Sequence, residues 1–173
     1  AAQLILDEAE AGSLVLSHFV NSSEIIPRIT KETLAAVLNG PANPLSGQIR
    51  IIDCRFQHEY DGGHINRALN YDDHAQLIDW LFRSPGNGAV LIFHCEYSAQ
   101  RAPIMASRVR EHDRRLNADR YPHLTYESIY VLDGGYLDFV ASYPACCSPQ
   151  GYVQMYDERY WTACLGQRLA RLK

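Results

Sequence analysis

A cysteine and an arginine are spaced in this sequence as a thiol nucleophile and a phosphate ligand would need to be. Cys95 and Arg101 are separated by five residues, which are Glu96, Tyr97, Ser98, Ala99 and Gln100. A thiolate attacks phosphorus readily, and the planar guanidinium of arginine matches the oxygens of a phosphoryl group. The spacing therefore predicts cysteine-dependent phosphoryl transfer, with Cys95 as the attacking group and Arg101 as a ligand of the phosphate.

The segment between these two residues is expected to bind an anion. It follows the apolar run Val90–Phe93 and precedes Pro103, a residue that suits the first turn of a helix because its missing N–H needs no partner there. A short loop of this kind turns backbone N–H groups inward, and the helix N-terminus adds partial positive charge. We predict that residues 96–101 form a phosphate-binding loop, that Ser98 orients the thiolate or assists its departure, and that no metal or other cofactor takes part. A merely buried, inert Cys95 is the alternative, and the flanking strand and proline disfavour it.

Three continuously apolar runs predict the buried strands that would position this loop, namely Ile49–Asp53, Val90–His94 and Ile129–Leu132. Runs in which apolar and polar residues do not alternate are typical of strands that are covered on both faces. Helical patterns lie around them, at Thr30–Asn39, Asp73–Phe82, Ala102–Leu116 and Tyr136–Tyr143. This order predicts an α/β domain in which helices flank both faces of a central parallel sheet. Cys54 and Cys95 both fall just beyond the carboxyl end of a strand, which is where binding and catalytic residues cluster in such sheets.

The bulk composition is that of one globular domain. The chain has 173 residues, of which 47% are hydrophobic and 21% are charged. We expect an N-terminal arm or helix over residues 1–25, a catalytic domain over 26–155, and a tail over 156–173 that can form a helix. A net charge of −4 argues against nucleic-acid binding, and no apolar run is long enough to span a bilayer. Five cysteines without a C-x-x-C motif argue against a zinc site and favour the cytoplasm or nucleus, and we expect a monomer.

Several motifs in the same order resemble the M-phase inducer phosphatases, the dual-specificity enzymes that activate cyclin-dependent kinases. They extend over about residues 26–155 and include Pro27-Arg28-Ile29, Asp53-Cys54-Arg55, Gly62-Gly63-His64-Ile65, Phe93-His94-Cys95-Glu96-Tyr97-Ser98, Arg110-Glu111, Tyr121-Pro122 and Gly134-Gly135-Tyr136. The resemblance implies a rhodanese-like fold. It also implies that the protein removes inhibitory phosphate from tyrosine or threonine of a cyclin-dependent kinase–cyclin complex, and so promotes mitotic entry.

The resemblance assigns roles to residues outside the loop. It implies that Cys54 forms a disulfide with an oxidised Cys95, which would prevent further oxidation to sulfinic acid. It implies that Arg110 and Arg114, which share a helix face, dock the kinase together with Tyr121. The alternative for the two arginines is a solvated face paired to acidic neighbours. A buried polar network is expected for Asp53, Arg55, Glu59 and His64.

Gln100 departs from the family, because many members have Glu at this position. Glutamine cannot donate a proton to the leaving group as a general acid. Glu96 is the remaining acidic residue of the loop; it could donate that proton, or it could only accept hydrogen bonds from neighbouring amides. A third possibility is that the substrate monoanion brings its own proton, and the acid stays unassigned.

Three other functions fit parts of the pattern. Some arsenate reductases share this fold and a Cys-x5-Arg loop, but they are shorter and should not need the motifs of residues 110–121. Sulfurtransferases of the same fold typically have a loop that is one residue shorter. A non-catalytic phosphopeptide-binding module is the third, and an intact Cys95 and Arg101 count against it.

Overall fold

The computed structural model describes residues 16–40, 48–85, 88–160 and 162. The strands within these ranges are β1 (Arg28–Ile29), β2 (Ile49–Asp53), β3 (Ala68–Asn70), β4 (Val90–His94) and β5 (Ile129–Leu132). The α-helices are α1 (Lys31–Asn39), α2 (Gln57–Asp61), α3 (His74–Arg83), α4 (Arg101–Leu116) and α5 (Gly135–Ser142). Short 3-10 turns cover Ala118–Arg120, Pro144–Cys146 and Glu158–Tyr160. In this part of the chain, no helix has the length and apolar character needed to cross a membrane.

The five strands form one sheet in the order β1-β5-β4-β2-β3, and every pair is parallel. β4 lies at the centre, and all five of its residues are buried. Its register with β2 pairs Ile49 with Val90 and Asp53 with His94, so the two strands end level with each other. The residues that follow, Cys54 and Cys95, therefore start from neighbouring points at the carboxyl edge of the sheet.

The core has two layers because alternate side chains of the strands point to opposite faces. On one face Ile51 packs with residues of α1 and α5, such as Leu34 and Phe139. On the other face Ile52 packs with residues of α3 and α4, such as Leu77 and Val109. The predicted α/β architecture, with helices on both faces of a parallel sheet, is thereby confirmed.

The predicted elements agree closely with the observed ones. The three predicted strands have the predicted bounds, and α1, α3, α4 and α5 begin and end within about one residue of the predictions. The hydroxyl of Thr30 caps α1 by accepting the N–H of Thr33 at 3.2 Å, and the carboxylate of Asp73 caps α3. Sequence analysis missed β1, β3 and α2, which have two, three and five residues. Segments this short leave no measurable periodicity.

The two ends of the chain are described only in part. Residues 16–25 form a non-helical arm, which joins the sheet through an antiparallel bridge between Phe19 and Arg28. The predicted helix of the C-terminal tail lies almost wholly outside the described residues.

Candidate active site

The predicted phosphate loop connects β4 to α4. Cys95 lies at its start with 3% of its surface exposed, and Ser98 lies fully buried at its turn. Ser98 has a left-handed backbone with φ of 53°. Its hydroxyl accepts a hydrogen bond from the N–H of Cys95 at 3.4 Å. Ser98 is thus placed beside Cys95, but the hydrogen bond fixes the backbone of Cys95 and not its thiol.

The carbonyl groups of the loop are held from behind by the first turn of α5. Tyr136 donates its N–H to the carbonyl of Cys95 at 2.9 Å, and Leu137 donates to the carbonyl of Glu96 at 3.1 Å. This approach requires Gly135, since a Cβ there would lie 2.5 Å from the carbonyl oxygen of Glu96. In a planar trans peptide the carbonyl and the next N–H point in opposite directions. The following amides therefore point away from α5 and are available to an anion.

Arg101 is held by a buried carboxylate. Its two terminal nitrogens donate to Glu59 at 2.6 and 2.9 Å, and Glu59 also accepts the N–H of Phe56 at 2.9 Å. Burial disfavours the charge of Arg101, but the hydrogen bonds and charge of Glu59 prevail and hold the pKa of the guanidinium above its ordinary value. Sequence analysis gave Glu59 only a place in a buried network. No spacing rule could link it to Arg101, because the two are 42 residues apart.

Glu96 is almost completely buried next to Cys95 and accepts a hydrogen bond from the hydroxyl of Tyr152. Its carboxylate also lies 3.7 Å from a terminal nitrogen of Arg101. Burial and the hydrogen bond to Glu96 raise the pKa of Tyr152, so that this phenol keeps its proton at neutral pH. Tyr152 is a member of the site that the sequence did not indicate. In this arrangement Glu96 acts as a hydrogen-bond acceptor.

The loop opens into a cavity of about 410 Å³. Loop residues form one side, and residues of the segment after α5 form the other, namely Gln154, Met155 and Tyr156. Tyr97 and Tyr156 are each 55% exposed at this cavity. The site is therefore a depression bordered by aromatic side chains.

The predicted polar network lies beneath the loop. The carboxylate of Asp53 accepts hydrogen bonds from the Arg55 side chain at 2.7 to 3.2 Å, and Arg55 also donates to the carbonyl of Gly63 at 2.7 Å. The guanidinium of Arg55 lies over the ring of Tyr136, 3.9 Å from its centroid. His64 hydrogen-bonds the carbonyl of Tyr60 through Nδ1 at 2.9 Å. These contacts fix the segments that support the site.

Cys54 and Cys95 directly follow the neighbouring strands β2 and β4, and both are free thiols. The N–H of Cys54 donates to the carbonyl of His94 at 2.8 Å, which ties the two strand ends together. Burial, with the nearby charge of Cys95, raises the pKa of the Cys54 thiol well above its ordinary value. The structure thus brings the predicted redox pair together, while disulfide formation stays a prediction.

The three residues predicted to dock a kinase have different environments. Arg110 is buried, and its guanidinium donates to the carbonyls of Tyr126 and Glu127 at 2.6 and 2.7 Å. The charge of Arg110 is therefore used to fix the segment before β5, and a docking role for this residue stays a prediction. Arg114 is exposed and Tyr121 is 87% exposed, so both are accessible to a partner.

Comparison with known proteins defines the class of this fold and site. The family model of the rhodanese-like domain matches residues 36–142, and the chain belongs to this family. The chain is 44% identical over 164 residues to the M-phase inducer phosphatase of Emericella nidulans. This alignment covers 94% of this chain and 30% of that protein. It is 41% identical over 152 residues to the M-phase inducer phosphatase of Schizosaccharomyces pombe, covering 87% of this chain and 26% of that protein. The predicted resemblance to M-phase inducer phosphatases is confirmed, and the chain spans less than a third of these two relatives.

A solved structure shares the fold. The As-Sb reductase from Leishmania major superposes with a TM-score of 0.54 and 27% sequence identity, covering 69% of this chain and 83% of that one. The rhodanese-like architecture inferred from sequence is therefore confirmed by fold comparison as well as by the family model.

Proposed function

We propose that this chain is the catalytic domain of an M-phase inducer phosphatase, a dual-specificity enzyme that removes inhibitory phosphate from tyrosine or threonine of a cyclin-dependent kinase–cyclin complex. Its action would promote mitotic entry, in the cytoplasm or the nucleus. The observation that carries the proposal is the loop itself: Cys95 and Arg101 stand at its two ends, and the carbonyls of Cys95 and Glu96 are bound from behind by α5. The relatives with 44% and 41% identity bear this enzyme's name.

The reaction would proceed in two displacements. The thiolate of Cys95 attacks phosphorus, a P–S bond forms, and the P–O bond to the substrate side chain breaks with its electron pair going to the leaving oxygen. Water then attacks phosphorus, the P–S bond breaks, and the thiolate and inorganic phosphate are released. Arg101 and the loop amides would stabilise the charge of the equatorial oxygens in both steps.

The leaving oxygen needs a proton, and the arrangement of the loop limits its source. Gln100 cannot supply one, and Glu96 already accepts a hydrogen bond from Tyr152. Among the three possibilities, these contacts favour a substrate monoanion that brings its own proton. The need for a proton is greater for phosphothreonine, since an alkoxide leaves less readily than a phenolate.

Kinetics on a doubly phosphorylated cyclin-dependent kinase–cyclin complex test the proposal. The wild-type chain should release inorganic phosphate from the complex and activate the kinase. Cys95→Ser should release none and should form a stable complex with the phosphorylated kinase. Absence of phosphate release by the wild type, from both the kinase complex and a small aryl phosphate, would refute the proposal.

Arsenate reduction is the second candidate, favoured by the likeness to the As-Sb reductase. Both activities need a nucleophilic thiol and an oxyanion-binding loop, so the site alone does not separate them. Parallel assays of phosphate-ester hydrolysis and of arsenate reduction with a thiol reductant do so. We expect hydrolysis to exceed reduction, and the reverse result would select the reductase.

A further inference from the structure

Arg28, in β1, reaches the back of the phosphate loop although it lies 70 residues earlier in the sequence. Its Nη2 donates to the carbonyl of Ser98 at 3.0 Å. The remaining donors bind two carboxylates, Glu24 at 2.6 Å through two nitrogens and Asp133 at 3.2 Å. Arg28 is only 6% exposed. Its guanidinium is thus fixed by three groups, one of which belongs to the loop.

The contact falls at the most constrained point of the loop. Ser98 is the loop residue with a positive φ, 53°, a conformation that is unfavourable for a side chain with a Cβ. Because the peptide is planar, the carbonyl of Ser98 and the N–H of Ala99 point in opposite directions. With the carbonyl turned back to Arg28, the N–H of Ala99 points away from Arg28, and Ala99 itself lines the cavity.

We infer that Arg28 is a positioning residue for oxyanion binding: it holds the peptide between Ser98 and Ala99 in the orientation that presents the Ala99 N–H to the phosphate. The inference rests on the proposed function, because it assumes that this loop binds phosphate. Without the guanidinium, this peptide would lose its one charged partner and could rotate, and the amide would then be withdrawn from the ligand. The opposing carboxylates hold the charge of Arg28 behind the loop, so Arg28 does not itself become a phosphate ligand.

A purely structural role is the competing explanation. Arg28 also ties the N-terminal arm to the sheet, through Glu24 and through its backbone bridge to Phe19. If that were its whole function, its replacement would lower stability and leave the affinity of the loop for an oxyanion unchanged. Asp113 serves as the control, because it is buried like Arg28 but does not contact the phosphate loop. Its carboxylate accepts the N–H groups of Thr125 and Tyr126 at 2.9 and 2.8 Å.

The test is calorimetric titration with tungstate, a tetrahedral oxyanion that reports on the loop without turnover. Arg28→Met should weaken tungstate binding about tenfold, the effect of losing one hydrogen bond to a charged group. The same variant should lower kcat/KM for a small aryl phosphate by a similar factor. Asp113→Asn should lower the unfolding temperature and keep the tungstate affinity within about twofold of wild type.

Arg28→Lys keeps the charge and the pairing with Glu24 but lacks the planar fork that reaches Ser98 at the same time. It should therefore bind tungstate less tightly than wild type, which keeps the inference testable if Arg28→Met does not fold. A folded variant at residue 28 with wild-type tungstate affinity would overturn it. A wild type that binds tungstate but hydrolyses no phosphate ester would refute the proposed function and leave this comparison valid.

Discussion

The carboxylate of Glu59 accepts hydrogen bonds from both terminal nitrogens of Arg101, at 2.6 and 2.9 Å, in a fully buried position. This pair joins α2 to the start of α4 and sets the direction of the guanidinium before any ligand arrives. An arginine held along one edge loses little conformational freedom when the rest of its donors bind phosphate. Arg101 is thus preorganised by a residue that does not line the cavity at the loop.

Glu59→Gln should therefore lower kcat/KM for a small aryl phosphate by about tenfold or more, because Arg101 loses its ionic partner and its fixed orientation. Glutamine keeps the shape of the side chain and an acceptor for the Phe56 amide, so the fold should persist. Steady-state kinetics with a thermal melt check this. Asp79→Asn, which breaks the exposed ion pair with Arg83, is the control and should leave kcat/KM unchanged. Equal kinetics in the two variants would contradict the assigned role of Glu59.

The approach of α5 to the phosphate loop gives a second prediction. Gly135→Ala would place a methyl group 2.5 Å from the carbonyl of Glu96 and 2.7 Å from that of Cys95. The loop must move, so we expect a loss of kcat/KM of about a hundredfold with reduced stability. Gly88→Ala is a matched control, because Gly88 also has a positive φ, 71°, but has no atom within 4 Å of the added group. Assays and melts of both variants separate backbone strain from displacement of the loop; a fully active Gly135→Ala would show that the loop tolerates the shift.

Much of this fold was predictable because its main strands are continuous apolar runs. The bounds of Ile49–Asp53 and Val90–His94 follow from burial on both faces, and the phosphate loop is a contiguous segment between a strand and a helix. The supporting contacts were not predictable, since they join residues far apart in sequence. Tyr152 is 56 residues from Glu96, and only the packing of the segment after α5 brings them together.

Arg110 shows a further limit of sequence analysis. A charged residue four positions from another on a helix predicts a shared exposed face. Here the side chain turns inward because two backbone carbonyls, of Tyr126 and Glu127, need donors. Helical spacing cannot reveal such a need when it arises in a different segment of the chain.

The neighbouring ends of β2 and β4 predict a redox response. Mild peroxide should produce a disulfide between Cys54 and Cys95, detectable as a linked peptide by mass spectrometry, and a thiol reductant should restore activity. Cys54→Ser should instead lose activity irreversibly as Cys95 passes to sulfinic acid. Cys147→Ser is the control and should behave as wild type. Recovery of only sulfinic Cys95 from the wild-type chain would exclude the pairing.

The rate of this disulfide closure should depend on pH in a particular way. Burial and the charge of Cys95 raise the pKa of the Cys54 thiol well above its ordinary value, so little of it is thiolate at neutral pH. The thiolate is the attacking form, and the rate should therefore keep rising with pH past the ordinary thiol value of about 8.5. Quenched-flow sampling of the oxidised protein measures this rate of disulfide formation at each pH. A plateau near neutral pH would show that Cys54 is not the attacking group.

The exposed residues Arg114 and Tyr121 predict a docking surface away from the loop. Arg114→Glu and Tyr121→Ala should each leave hydrolysis of a small aryl phosphate unchanged and reduce kcat/KM on a kinase–cyclin complex by about tenfold. Arg115→Glu is a matched charge reversal on the next residue, whose guanidinium pairs with Glu111 at 3.1 Å. A similar loss in all three variants on the complex would point to general electrostatic attraction and not to a docking site.

Gln100 gives the last prediction, which concerns the missing proton donor. The residue is exposed at the start of α4 and lines the same cavity as Cys95. Gln100→Glu should raise turnover of a phosphothreonine peptide by about tenfold at mildly acidic pH and change aryl phosphate hydrolysis little. The reason is that the alkoxide of threonine is a poor leaving group without a proton, whereas a phenolate leaves readily.

The pH dependence distinguishes proton donation by this new carboxyl group from other effects. A carboxyl group at a helix N-terminus is stabilised in its charged form, so its capacity to donate a proton should fall steadily as the pH rises toward neutrality. The gain in turnover of the phosphothreonine peptide should fall together with this capacity. Profiles of kcat against pH for the phosphothreonine peptide and the aryl phosphate measure the change. Gln100→Ala removes the side chain without adding an acid and should show no such gain. An equal gain on aryl phosphate would identify altered binding as the cause, and the substrate monoanion would then remain the favoured proton source.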